Sequence, residues 1–238
     1  MSKSFLSAKW INLFMANFVV DKSILEKYRP AHTEIDSWKG QYLVSVVGFL
    51  FKDTRVMGIS FPFHKDFEEV NLRFYVRRKE NNEWKRGVVF IKEIVPKGLI
   101  TFVANTLYGE NYETRKMSHS FSLDSKLSIE YKWKVNNEWN FIKAIAEKEN
   151  KPLVAGSEEE FITEHYWGYA KIDANTTSEY EVRHPSWNIH RVEEFQINCN
   201  AKALYGEEFE SPLNAEPVSV FLAEGSAISV MQNQKLTQ

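Results

Sequence analysis

The sequence predicts a mainly antiparallel β (α+β) fold in one domain spanning residues 1–238. Three patterns carry that expectation. Stretches such as FEEVNLRFYVR (67–77) and LSIEYKWKV (127–135) alternate polar and apolar residues with period two. Neighbouring stretches meet at Asn81-Asn82 and Asn136-Asn137, residue pairs that tolerate the positive φ of a tight hairpin turn. Helical periodicity is confined to short segments, so strands do not alternate with helices and a doubly wound parallel sheet is disfavoured. An antiparallel sheet of about a dozen strands must close on itself or stack.

Taken in order, INLFMANFVV (11–20) reads as extended, and Asp21 can cap a short helix over KSILEKY that stops before Pro30. QYLVSVVGFLF (41–51) is apolar on both faces and reads as a central strand covered on both sides, with Gly48 marking a bulge or bend. The strand near 67–79 returns through Asn81-Asn82 as WKRGVVFIKEI (84–94). Pro96 opens a helix closed by Gly109, whose stripe of Leu99, Phe102, Val103, Thr106 and Leu107 should pack on the sheet. LSIEYKWKV and EWNFIKAIA (138–146) form a second hairpin, and NKPLVAGSE (150–158) connects onward. A third hairpin joins EEEFITEHYWGYAKI (158–172) to EYEVRHPSW (179–187), and PVSVFLAEGSAISVM (217–231) reads as two short strands joined at AEGS.

Composition narrows the function classes. Basic and acidic residues number 30 and 32 and are interspersed, so neither the basic stripe of a nucleic-acid binder nor a polybasic membrane patch is present. The single Cys199 permits no internal disulfide and, set in QINCNAK, reads as a buried inert thiol. The ten-residue apolar run at 11–20 is too short to span a bilayer, and MSKSFLSAKW lacks a signal-peptide pattern, so a cytoplasmic chain is expected. The sequence carries no GxSxG, P-loop or HExxH motif. No metal or other cofactor is expected, although His165 and His184 can become neighbours across a hairpin.

Two places concentrate candidate chemistry. On the strand near 67–77, Val70, Leu72, Phe74 and Val76 share one side, and Glu69, Asn71, Arg73, Tyr75 and Arg77 share the other. That polar side faces either water or a cavity. Asn, Arg and Tyr are hydrogen-bonders of fixed geometry and favour the cavity, where Arg73 can clamp a carboxylate and Glu69 can act as acid or base. In FITEHYWGYA (161–170), Glu164, Tyr166 and Gly168 alternate with His165, Trp167 and Tyr169, which offers one aromatic face to a pocket.

The strings FPFHKDFEEVNLRFYVRR (61–78), RGVVFIKEIVP (86–96), LYGENYETRKMSH (107–119), SEEEFITEHYWGY (157–169) and LYGEEF (204–209) resemble the YqjF-like family of uncharacterised bacterial proteins, within the acetoacetate decarboxylase-like superfamily. The resemblance implies a closed, cone-shaped β-barrel with a polar interior and a few helices packed outside. Glu69, preceded by Phe67 and Glu68, then resembles an acidic position of the superfamily. The decarboxylase forms a Schiff base on a lysine that follows a Gly-aromatic-Pro turn after a helix. Here the stretch is Gly109-Glu110-Asn111-Tyr112, with Tyr112 where the lysine is expected. If 112–116 is extended, Lys116 shares a face with Tyr112 and Thr114 and becomes the substitute candidate.

The leading expectation is a small-molecule site for a carboxylate or keto acid. Glu69 and Lys116 are its candidate catalytic groups, and Asn71, Arg73, Tyr75, Tyr112, His165 and Tyr166 its candidate binding groups. The alternative is a non-catalytic sensor or an oligomeric scaffold with a filled barrel, and a homo-oligomer is allowed in either case.

Overall fold

Period-two alternation becomes structure over most of the chain. The computed structural model describes residues 4–237. In chain order the elements are β1 (Ser4–Val20), α1 (Lys22–Glu26), β2 (Glu34–Ile35), β3 (Tyr42–Val56), β4 (Phe67–Glu80), β5 (Glu83–Val95), α2 (Gly98–Tyr108), β6 (Tyr112–Thr114), β7 (Met117–Leu123), β8 (Leu127–Val135) and β9 (Glu138–Lys151). There follow α3 (Glu158–Thr163), β10 (Trp167–Lys171), β11 (Thr177–Arg183), β12 (Ile189–Asn198), α4 (Ala201–Tyr205), a 3₁₀ turn (Glu207–Phe209), α5 (Glu210–Asn214), β13 (Ser219–Met231) and β14 (Gln234–Leu236).

Pairing runs β14-β11-β10-β5-β4-β3-β1-β13-β12-β9-β8-β7, and an additional β11–β13 pairing returns the path on itself. The strands β11, β10, β5, β4, β3, β1 and β13 therefore form a closed ring, from which β12, β9, β8 and β7 continue as a flap. Both Asn-Asn turns take the expected left-handed conformation, with φ of 47° and 69° at Asn81-Asn82 and 49° and 66° at Asn136-Asn137. Asp21 caps α1 by accepting the Ser23 N–H at 2.7 Å.

Ring strand β3 is apolar on both sides because both sides are covered, whereas β4 is apolar on its outer side. Val44, Val46 and Leu50 of β3 and Val70, Leu72, Phe74 and Val76 of β4 pack outward against Ile129, Tyr131 and Trp133 of β8, Ile142 of β9 and Leu204 of α4. Leu43, Val47, Phe49 and Phe51 of β3 point inward and meet Leu13 and Met15 of β1, Phe161 and Ile162 of α3, and Trp187. The flap thus stacks on one wall of the ring, so the sheet both closes and stacks.

Four expectations need correction. The segment 158–166 does not extend the third hairpin. Ser157 caps α3 by accepting the Glu160 N–H at 3.1 Å, and Glu158, Glu159 and Glu160 occupy its first turn, a Ser-x-x-Glu start signal read as strand. Residues 217–231 form one strand rather than two, because Gly225, at φ 82°, bends without breaking and lies against the Trp10 carbonyl. Gly48 does not host the bulge. The extra residue sits opposite, in β1 between Ile11 and Phe14, where Asn12 has φ 55°. Gly48 instead makes room for the flap, since a Cβ there would lie 2.5 Å from Ile142 Cδ1 and 2.9 Å from Tyr131 Cδ2. Finally, Leu99, Phe102 and Leu107 of α2 are exposed, and the helix turns Ile100, Val103, Ala104 and Tyr108 inward.

Candidate functional site

The ring surrounds a partly open cavity of about 290 Å³. Its walls are apolar where β1, β3 and α2 contribute Leu13, Val47, Phe49 and Val103, and polar where β4, β5 and the segment after α2 face one another. β4 keeps its alternation throughout, so Glu69, Asn71 and Arg73 line the cavity while Val70, Leu72 and Phe74 stay in the outer core.

Glu69 is 2% exposed. Its carboxyl accepts the Asn71 Nδ2–H at 2.8 Å and the Tyr112 hydroxyl at 3.0 Å. Burial pushes Glu69 up to about 7, against the opposing pull of those two hydrogen bonds and of Arg73. Asn71 is 1% exposed, and its Oδ1 has no protein partner among the described residues. Arg73 donates from its NH2 group to the Ile162 carbonyl at 3.1 Å, while its buried Nε has no partner among them.

Two further carboxyls complete the polar end. Glu93, across from Asn71 in the β4–β5 register, is 2% exposed and leaves Oε2 without a partner among the described residues. Burial, then the charges of Glu110 and Glu69, hold it well above the usual carboxylate range. Glu110 follows Gly109, whose φ of 74° ends α2, and accepts the Tyr180 hydroxyl of β11 at 2.6 Å. Burial pushes Glu110 up to about 7, opposed by the Tyr180 bond. Burial also drives the phenols of Tyr112 and Tyr180 well above their ordinary value, so both remain hydroxyl donors.

At the Arg73 end, His165 is buried with neither ring nitrogen hydrogen-bonded among the described residues. Burial and then the guanidinium groups of Arg86 and Arg73 hold its pKa well below the ordinary value, so it is a neutral imidazole.

Of the residues singled out from sequence, Glu69, Asn71, Arg73, Tyr112 and His165 line the cavity together. Three do not. Tyr75 shares their face but is sealed beneath α3, with ring centroids 5.3 Å from Phe161 and 4.8 Å from His165, and its hydroxyl bonded to Ser45 Oγ at 2.5 Å. Tyr166 lies outside the lining, donates its hydroxyl to Glu164 and packs 4.8 Å from the His184 ring. Lys116 is exposed, because β6 ends at Thr114 and the chain turns into the flap before reaching it. No lysine is found among the described residues that line the cavity.

Sequence reasoning missed Glu93, Glu110 and Tyr180. Simple alternation in β5 puts Glu93 on the same side as Val89 and Ile91, which are outward. A bulge shifts the register at Leu72/Arg73, so Arg73 pairs with Phe90 while Leu72 pairs with Lys92. That extra residue reverses the faces beyond Ile91 and turns Glu93 inward. A charged residue inside the apolar run VVFIKEIV was the available signal. Glu110 and Tyr180 reach the cavity by a helix end and a distant strand, which no local pattern announces. The suspected His165–His184 pair gains no third ligand, as no group of three His, Cys, Asp or Glu side chains arranged for a metal occurs among the described residues.

A family model for DUF2071, an uncharacterized conserved protein, matches residues 7–227. The chain belongs to the DUF2071 family. This DUF2071 chain is 26% identical over 196 residues to the uncharacterized protein YqjF of Bacillus subtilis (strain 168), covering 79% of this chain and 77% of the relative. Its fold is similar to acetoacetate decarboxylase from Legionella pneumophila (TM-score 0.69, 12% identity, 99% of this chain and 89% of that one). It is also similar to the enduracididine biosynthesis enzyme MppR complexed with pyruvate (TM-score 0.69, 9% identity, 100% and 91%). The acetoacetate decarboxylase-like architecture implied by the sequence resemblance is thus the one this DUF2071 chain adopts.

Proposed function

We propose that the ring cavity binds a small organic acid, with the carboxylate held by Arg73 and the rest of the molecule between the apolar walls and the carboxyl cluster. The observation that carries this reading is the Arg73 guanidinium, which meets the cavity with a buried Nε–H that has no partner among the described residues. In low dielectric an unpaired cationic donor is costly, and a carboxylate is the acceptor that fits its planar fork. The neutral His165 beside it can donate one further hydrogen bond. The neighbour of like fold that is complexed with pyruvate lends support by analogy.

Glu69 is the group on which we place any acid–base role, since at about 7 it can give or take a proton near neutral pH, with Tyr112 fixing its orientation. A Schiff base is not part of the proposal. Tyr112 stands where the resemblance leads one to expect the lysine, and Lys116 is outside the cavity. The empty volume disfavours a scaffold with a filled ring.

Thermal unfolding with pyruvate and a panel of small 2-oxo and aliphatic acids tests the reading. An acid at 100 times its dissociation constant should stabilise the parent protein by about 2.7 kcal/mol. At this chain length that is a rise of roughly 5–10 °C in Tm. Arg73→Met should abolish the rise. An unchanged rise in that variant would remove Arg73 from the site. Borohydride with the same acids should leave no covalent adduct.

A further inference from the structure

Sorting the unpartnered buried atoms of the cavity by sign shows two unlike ends. At one end stands the cationic donor Arg73 Nε, beside the two unpartnered ring nitrogens of the neutral His165; Trp10 Nε1 and Thr54 Oγ1 on the apolar wall are also without partners among the described residues. At the other end the unpartnered atoms are Asn71 Oδ1 and Glu93 Oε2, on register partners that are 1% and 2% exposed. The Asn71 amide is neutral, and its orientation is fixed because Nδ2 donates to Glu69 at 2.8 Å. With Glu69 accepting from Nδ2, the atom left free is an acceptor. The two phenols nearby are already committed, Tyr112 to Glu69 and Tyr180 to Glu110. Asn71 Oδ1 accepts no hydrogen bond from the described residues, and an unmet buried acceptor costs about 1–3 kcal/mol.

Resting on the organic-acid reading of the same cavity, we infer that its ligand is amphoteric, with a carboxylate on Arg73 and an ammonium or guanidinium group received by Asn71, Glu93 and Glu69. A cation with several N–H groups meets all the open acceptors at once. A cation arriving at this end lets Glu69 or Glu93 ionise against it, whereas a second carboxylate finds no positive partner there, so dicarboxylic acids are disfavoured. Asn71 and Arg73 are two residues apart on one face of β4, which separates them by roughly 6.6 Å along the strand. Carbon chains of the length found in 4-aminobutanoate and 5-aminopentanoate bridge such a gap. Val47, Phe49, Val88 and Phe90, which line the cavity, offer apolar cover for the methylenes.

Calorimetric titration of the full chain with pentanoate, 5-aminopentanoate and pentylamine tests this. The amino acid should bind the parent protein at least tenfold more tightly than pentanoate. Glu93→Gln should shrink that ratio severalfold. Arg73→Met should weaken both acids at least tenfold and leave pentylamine unmoved. If pentanoate binds as well as the amino acid in an Arg73-dependent way, the cationic end is wrong and the acid site stands. If the amino acid and pentylamine bind equally with or without Arg73 while pentanoate is silent, the cationic end stands and the acid site falls. If none of the three binds at millimolar concentration, both fall. The parent ratio needs no variant, so a misfolded substitution does not shelter the inference.

Discussion

Glu69, Glu93 and Glu110 are all raised by burial, and the sign of a pH effect follows. In the folded chain they hold protons that the unfolded chain has released. Stability therefore falls as pH rises from the unfolded value of 4.5 toward the folded one, which is about 7 for Glu69 and Glu110. His165 acts oppositely. Its folded value is depressed, so its contribution is lost as pH falls below its ordinary 6.5. A difference measurement separates the two. In urea unfolding at pH 5 and pH 7.5, Glu69→Gln should lose less stability than the parent on going to the higher pH, by about 1–3 kcal/mol. Equal losses would mean that burial does not hold Glu69 protonated.

The elements decide which of these residues meet. β10 passes close enough to β11 that Gly168 lies under the Tyr180 ring, and a Cβ at Gly168 would overlap it. Gly168→Ala should destabilise the fold by about 1–3 kcal/mol and displace Tyr180, releasing Glu110 from its hydrogen bond. Chemical denaturation reads the first effect and the tyrosine ultraviolet difference spectrum the second; an unchanged spectrum would count against the displacement. Gly48→Ala should cost a similar amount by pushing the flap residues Ile142 and Tyr131 outward, without altering ligand binding, because Gly48 faces away from the cavity. At this scale the sequence was partly legible. The Asn-Asn turns, the Asp21 cap and the β4 alternation are local features set by φ preference and period two. The α3 cap at Ser157 was also there to be read, but the aromatic run after it looked like strand. The β5 bulge that turns Glu93 inward had only the charged residues inside VVFIKEIV to announce it, and simple alternation pointed the other way.

Across the whole molecule, stability should be graded by how many neighbours a strand has. β13 pairs with β1, β11 and β12, and it completes the ring. β7 pairs only with β8 in the described sheet, and its Phe121 and Leu123 are exposed. Amide hydrogen exchange should therefore be slowest in β1, β3, β4 and the first half of β13 and fastest in β7. Removing residues 219–238 should abolish cooperative unfolding, since β1, β11 and β12 would each gain an open edge.

What the sequence determined by itself was the class of fold, most strand positions, the hairpin turns and the side of β4 that carries Glu69, Asn71 and Arg73. Those follow from steric limits on φ and from the period of side chains along an extended chain, which act between near neighbours. Tertiary structure alone decided that this side meets a cavity, that Glu93, Glu110 and Tyr180 join it, and that Lys116, Tyr75 and Tyr166 do not. Ring closure, the bulge in β5 and the seating of α3 bring together residues far apart in the chain, and proximity of that kind is set by the packing of whole strands against one another.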